Sequence, residues 1–357
     1  MAQMTYEAQP IAPSRQVAAP MFHVKHGGPG QSPGDPQPRA DRHNPKSRPD
    51  SAESHPNQGS EDAPDARIDA CECTPDDHLE VGETIACANQ KGGVGKTTTV
   101  VNLASYLALA GDRVLVVDLD PQGNATSAFG IDRSRDRSVY DAVIDQVQLD
   151  DLAIDTAIDG VTLIPSSIAM AGAEVELTPL EQRERRLAAL LDPVRDRFDY
   201  LLIDCPPSLG LLTINALTAA DSTLVPIQCE YFALEGLGQL LATIRLVTDH
   251  LNPRLEVKGA VLTMFDGRTR LSTEVGDEVR RHLGDRVYET VIPRAVRLSE
   301  APSHGLPIHL YAPGTRGADA YRDLADEIRA RDERPRSGAH GNVGSAEPAG
   351  AVQAVLA

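Results

Sequence analysis

Residues 88–100 read ANQKGGVGKTTTV, with an apolar run beginning at 85 before them and a helical pattern after. Strand, glycine-rich loop and helix in that order make a phosphate-binding loop. Gly92, Gly93 and Gly95 let backbone N–H groups wrap an anionic tail without a side chain in the way. Lys96 offers a point charge to β- and γ-phosphates, and Thr97 a hydroxyl to Mg²⁺. The N-terminus of the following helix adds its dipole. The run departs from the general GxxxxGK[ST] pattern at one place: Gln90 stands where the first glycine belongs, and a second lysine, Lys91, follows it. The stretch is expected to bind a nucleoside triphosphate.

Composition divides the 357 residues unevenly. Residues 1–80 hold 12 of the 26 prolines and few aliphatic side chains, too little apolar surface to offset the entropy of ordering. The expected organisation is a Pro-rich disordered arm over 1–82, a P-loop ATPase domain over 83–330 and a disordered tail over 331–357. The central part, about 250 residues, suits one α/β domain. No apolar run reaches the ~18–20 residues of a membrane span, and no signal layout opens the chain. Five cysteines at unrelated spacings read as free thiols in a reducing cytosol, and Cys71-x-Cys73 lacks the second pair a zinc site needs. The net charge of −18 argues mildly against nucleic acid as a partner, without excluding a local basic patch.

Taken in order, the sequence predicts strands over 81–89, 113–118, 161–165, 200–204, 222–227, 257–263 and 287–292. Helices are expected over 96–110, 139–144, 180–198 (broken or bent at Pro193), 210–220 and 234–251. Strand and helix in alternation give a doubly wound, mostly parallel sheet with helices on both faces. Asp118 and Asp120 fall at the carboxyl end of one strand, the edge where open α/β sheets take ligands, although either could cap a turn. Asp204 ends another apolar strand, the position of a Walker B aspartate that serves Mg²⁺. Residues 254–297 carry nine Arg and Lys against seven Asp and Glu, a local excess of positive charge in an acidic chain. By charge alone, Arg268, Arg270, Arg294 and Arg297 read as ordinary surface arginines.

KGGVGKTT at 91–98, DPQGNAT at 120–126, DCPPSLGLLTINAL at 204–217, CEYFALEGL at 229–237 and PRAVRLSEAPSHG at 293–305 together resemble the ParA/Soj family of DNA-partitioning ATPases. This family belongs to the deviant Walker A class, and the resemblance covers nearly all of 83–330. It implies ATP and Mg²⁺ as ligands, with Lys91, Gly92, Gly93, Val94, Gly95, Lys96, Thr97 and Thr98 at the nucleotide. Thr97 and Asp204 would serve the metal. Asp120 would orient the attacking water, and Lys91 would reach across a nucleotide-sandwich homodimer to the partner's phosphates. Catalysis would then rest on Lys91, Lys96 and Asp120. Arg268 and Arg297, with Arg294 a weaker candidate, match positions that meet non-specific DNA, so the resemblance outweighs what charge alone suggests. The implied partner is a ParB-type centromere-binding protein, and the implied place is the cytoplasm, on the nucleoid. Residues 263–265 and Pro293 are candidates for reading adenine.

Rival readings share the loop. A MinD-like membrane ATPase would need a basic amphipathic C-terminal helix, but the last 20 residues hold no Lys or Arg. An iron–sulfur carrier would need paired cysteines, whereas Cys205 and Cys229 stand alone. A metabolic ligase would make less of Lys91. The arm holds one oddity, MFHVKH at 21–26. Its permitted codons include TGTTTCACGTGAAACA, a self-complementary string similar to the centromere-like site of the family's DNA-binding partner, so the arm is expected to be partly a by-product of DNA, or of a start codon set too early.

Overall fold

Apolar runs without alternation suit strands covered on both faces, and the sheet is built from them. The computed structural model describes residues 82–231 and 233–333. The arm with its 21–26 stretch, Cys71, Cys73 and the tail from 334 lie outside the described residues. The chain begins with β1 (Glu83–Cys87), the phosphate-type loop and α1 (Lys96–Leu109), then β2 (Val114–Asp118), α2 (Asn124–Ala128) and α3 (Val139–Asp145). A two-residue β3 (Ile154–Asp155) and β4 (Val161–Ile164) lead to α4 (Met170–Leu177) and α5 (Arg186–Leu191). Then come β5 (Tyr200–Asp204), α6 (Leu211–Ala219), β6 (Ser222–Gln228), α7 (Ala233–His250), β7 (Glu256–Phe265) and α8 (Arg270–Leu283). The last elements are β8 (Val287–Pro293), α9 (Val296–Glu300), α10 (Ile308–Tyr311) and α11 (Arg316–Arg331).

The strands form one sheet in the order β3-β4-β2-β5-β1-β6-β7-β8. Every pairing is parallel except β3 with β4. The chain steps from β1 outward to β2 and β4, then returns to insert β5 beside β1. The topological switch therefore lies at β1, and its carboxyl end opens the crevice in which such sheets bind ligands. Alternate strand residues supply the two cores. Ala86, Leu115, Val117, Leu201 and Ile203 pack under α3 to α8, and Ile85, Cys87, Val114, Val116 and Leu202 under α1 and α11.

The region 180–198 differs from expectation. Gln182 adopts φ 51°, a left-handed conformation that stops a helix before it starts. Asn215 Oδ1 then accepts the Leu187 amide at 3.2 Å, and Arg186 donates to the Val143 and Ile144 carbonyls, so α5 begins late. Pro193 opens a separate 3₁₀ turn, Asp192–Arg197, rather than bending one long helix. α4 precedes all of this, where no helix is expected from the sequence.

Lys258 on β7 ties the two ends of the described chain together. Its ammonium lies 2.6 Å from Glu83 at the start of β1 and 2.5 Å from Asp332 just past α11, with a side chain only 9% exposed. Tyr200 donates its hydroxyl to the same Asp332 at 2.9 Å. Removing one partner of a buried pair strands the other charge. Lys258→Met should therefore lower the unfolding free energy by about 3 kcal/mol in urea titration, and a loss within error would show that the pair contributes nothing net.

Candidate nucleotide site

The loop after β1 is shaped by two left-handed glycines, Gly93 at φ 73° and Gly95 at φ 90°. Gly95 is also the cap of α1; no side chain caps that end and no acid occupies the first turn, so the helix presents bare amides. Asn89 braces the loop from one side. Its amide donates to the Pro226 carbonyl at 2.7 Å and its Oδ1 accepts the Lys91 N–H at 3.0 Å. From the other side Thr263 Oγ1 donates to the Val94 carbonyl at 2.8 Å. Between these braces the two lysines part. Lys96 is buried, and its positive charge bears on Asp204. Lys91 turns outward and pairs with Glu230 at 3.0 Å.

Strand register brings the acids together. In the β2–β5 ladder Asp118 stands opposite Asp204, and in the β1–β5 ladder Cys87 does. The Asp118 carboxylate is fully engaged. Oδ2 accepts the Thr126 amide at 2.8 Å and its hydroxyl at 2.7 Å, while Oδ1 accepts the Asp120 amide at 3.2 Å. Burial still pushes its pKa up to about 6 against those bonds. Asp118 thus anchors the loop that carries Asp120 and the start of α2. Asp120 is itself buried, with Oδ1 accepting the Gln122 amide at 2.9 Å and its carbonyl accepting the Ser166 hydroxyl at 2.8 Å. Asp204 is different. Neither of its buried carboxylate oxygens meets a donor at full hydrogen-bond geometry among the described residues, although the Thr97 hydroxyl is close enough to favour the charged form. Burial first, then the charge of Asp118, raise its pKa well above the usual range, with Thr97 and Lys96 pulling the other way. A buried carboxylate with open lone pairs, beside a threonine at the head of a helix, is a donor set that suits a hard divalent cation.

A cleft of about 280 Å³ continues from Gly95 and Thr98 to Met264, Pro293 and Arg294. Met264 adopts φ 50° where the β7–β8 pairing slips between Leu262 and Phe265, so the backbone is re-aimed at the cleft wall. Thr263 spends its hydroxyl on the loop carbonyl, so it braces the site rather than presenting that group to the cleft.

Arg268, Arg294 and Arg297 follow the carboxyl ends of β7 and β8, at the same sheet edge. Arg268 is 91% exposed along its side chain and grips Asp266 through two nitrogens at 2.9 and 2.8 Å, which holds that carboxyl down at about 2. Arg294 donates its amide to Phe265 and contributes to the same lowering. Arg297, on α9, pairs with Glu300 at 2.9 Å and approaches the Tyr311 hydroxyl at 3.5 Å. Each of these three arginines carries an in-chain acceptor, so its charge is already paired. Exposed pairs of this kind are worth about 0–1 kcal/mol and yield readily to phosphate. The sequence did not single out Asn89, Thr126, Ser166 or Glu230; their signal is a partner distant along the chain.

The left-handed glycine loop, the uncapped helix and the acids at the switch point define a P-loop nucleotide-binding α/β protein. A family model described as an AAA domain matches residues 82–257. The chain is 57% identical over 251 residues to the sporulation initiation inhibitor protein Soj of Bacillus subtilis (strain 168), covering 70% of this chain and 99% of that protein. It is 50% identical to the chromosome partitioning protein ParA of Caulobacter vibrioides (strain NA1000 / CB15N), over 70% of this chain and 94% of that one. Cobyrinic acid a,c-diamide synthase from Mycobacterium smegmatis, solved with bound ATP analog and magnesium, has TM-score 0.63 and 39% identity, covering 71% of this chain and 98% of that one. The cell division ATPase MinD of Pyrococcus furiosus has TM-score 0.58 and 27% identity, over 70% and 99%. The chain belongs to the ParA/Soj family of chromosome-partitioning ATPases.

Asp204 takes up protons on folding, because its folded pKa lies above its unfolded one. Its cost to stability is therefore full at pH above the folded value and vanishes as pH falls toward the unfolded one. Asp204→Asn removes that cost, and thermal melts of the nucleotide-free protein at pH 7.5 should show Tm higher by roughly 2–4 °C. A lower Tm would mean that the carboxylate is satisfied in the free protein.

Proposed function

We propose that this chain is a ParA-type partition ATPase that binds ATP and Mg²⁺, closes into a nucleotide-sandwich homodimer and binds non-specific DNA in that state. The observation that carries the reading is the parting of the two lysines. Lys96 sits inside the loop near Asp204, while Lys91 leaves the loop and stands partly exposed at the surface. An outward lysine at the mouth of a phosphate site is placed for a second molecule's phosphates, as an arginine finger is.

The roles follow from the positions. Lys96 and the amides from Gly92 to Thr98 hold the phosphates, and the cleft from Gly95 to Pro293 takes the base. Thr97 and Asp204 would hold Mg²⁺, which would supply neutralisation of the phosphate charge. Asp120, held by Asp118 and Ser166, orients the attacking water. Lys91 of one subunit meets charge that builds on the partner's γ-phosphate. Loss of that phosphate removes the contacts that join the subunits, so hydrolysis opens the dimer. Two copies of Arg268, Arg294 and Arg297 on one dimer add weak phosphate contacts through effective concentration. A ParB-type centromere-binding protein would raise a slow intrinsic rate, and the site of action would be the nucleoid in the cytoplasm.

A metabolic enzyme like the synthase named for one neighbour is the second reading, carried by its 39% identity. The partition reading is preferred because the chromosome partitioning protein ParA matches at 50% over 94% of its length and Soj at 57% over 99% of its length, both above the synthase. No helix among the described residues is long and apolar enough to cross a membrane.

ATPase rates with DNA, with the candidate ParB protein and with both test the proposal, and absence of stimulation by the pair would remove it. Lys91→Ala should bind ATP with little change in affinity while losing stimulated hydrolysis by on the order of 10²-fold or more. Arg268→Ala with Arg297→Ala should abolish DNA co-sedimentation while leaving ATP-dependent dimerisation intact. DNA affinity retained in that double variant would contradict the assigned patch.

A further inference from the structure

Lys91 is already occupied within its own chain. Its ammonium lies 3.0 Å from Oε2 of Glu230, a residue 139 positions away in the turn after β6. The other oxygen, Oε1, accepts the Gln228 side-chain amide at 2.6 Å and lies 3.5 Å from the Arg294 guanidinium. The carboxylate is fixed by its backbone as well. The Glu230 amide donates to the Gln228 carbonyl at 2.8 Å, and its own carbonyl accepts the Ala233 amide at 3.0 Å, at the first turn of α7. The same strand, β6, braces the Lys91 loop through Asn89 and Pro226. Three donors from three separate parts of the chain therefore converge on one carboxylate beside the nucleotide loop.

We propose that Glu230 is a positioning residue that holds Lys91 in cis and must give it up before Lys91 can reach a partner's phosphates. This rests on the reading above that Lys91 acts across a dimer. A lysine cannot bring a carboxylate with it to a triphosphate, because like charges repel. The contact with Glu230 and the contact with phosphate are therefore alternatives. Release is easy for two reasons. Both side chains are partly exposed, 33% for Lys91 and 43% for Glu230, so water replaces the lost contact. Glu230 also keeps Gln228 and Arg294, so its charge is not stranded when Lys91 leaves. Exposed pairs shift an equilibrium by up to about fivefold. A two-fold dimer breaks two such pairs, so their combined weight on dimerisation reaches about 25-fold. The latch is thus strong enough to disfavour idle pairing of subunits and weak enough for ATP to overcome.

Sedimentation velocity with a non-hydrolysable ATP analogue and Mg²⁺ tests this in four proteins: wild type, Glu230→Gln, Lys91→Ala and the double variant. Glu230→Gln should lower the dimer dissociation constant by between about 2- and 25-fold. In the Lys91→Ala background the same substitution should change nothing, because its effect runs through the lysine. An unchanged or weaker Glu230→Gln dimer would overturn the proposal. Equal strengthening in both backgrounds would overturn it too, since that is the signature of a lost negative charge near the nucleotide and not of a released lysine. A wild type that stays monomeric with the analogue would remove the two-subunit reading itself, and that result is visible without any variant.

Discussion

The in-register insertion of β5 between β1 and β2 is the constraint on which the site depends. It sets Asp204 opposite Cys87 on one side and Asp118 on the other. The phosphate-type loop, the Asp118–Asp120 loop and the end of β5 are thereby delivered to one edge of the sheet. Asp118 and Asp204 are both fully buried there, so the two carboxylates meet where water screens them little. The fold satisfies one of them fully, through Thr126 and the Asp120 amide. The other, Asp204, is left without a donor at full hydrogen-bond geometry among the described residues. A slipped register would separate the acids or bury them under α6, and no loop chemistry could restore the arrangement.

Electrostatics around that edge separates inner from outer charges. Lys96 is buried with the acids, whereas Lys91, Glu230, Arg294, Arg268 and Arg297 form an exposed fringe of paired charges. Inner groups act at low dielectric and are few. Fringe groups are many and individually weak, since each already holds an in-chain partner. That division suits a protein whose outer contacts are made and broken in each cycle. It would also reconcile a chain of net charge −18 with the proposed binding of DNA, because each arginine would need only to exchange a carboxylate for a phosphate.

Much of this was legible in the sequence. The strand over 200–204 matches β5 at both ends, because an apolar run closed by Asp204 and two prolines has one natural boundary. The glycine loop and the three acids could be read from spacing, and the parallel sheet from alternation. What could not be read is what long-range contact decides. Gln182 in a left-handed conformation and Asn215 at the start of α5 moved a helix that periodicity alone ran from 180 to 198. The two-residue β3 exists only as an antiparallel partner for β4. Asp118 looked like one of two equivalent acids until Thr126 showed it to be an anchor. Glu230, in a recognisable CEYF stretch, carried no sign that it would meet Lys91.

The central claim is that one loop supplies the inner lysine for its own nucleotide and the outer lysine for another subunit's. Mixing two inactive variants, Lys91→Ala and Asp120→Ala, measures this directly through ATP hydrolysis. If Lys91 acts across the dimer, each mixed pair holds one site with both residues intact. An equal mixture should then recover about a quarter of wild-type stimulated activity. If Lys91 acts within its own chain, no site in any pairing is complete, and a mixture as inactive as its two components would contradict the account.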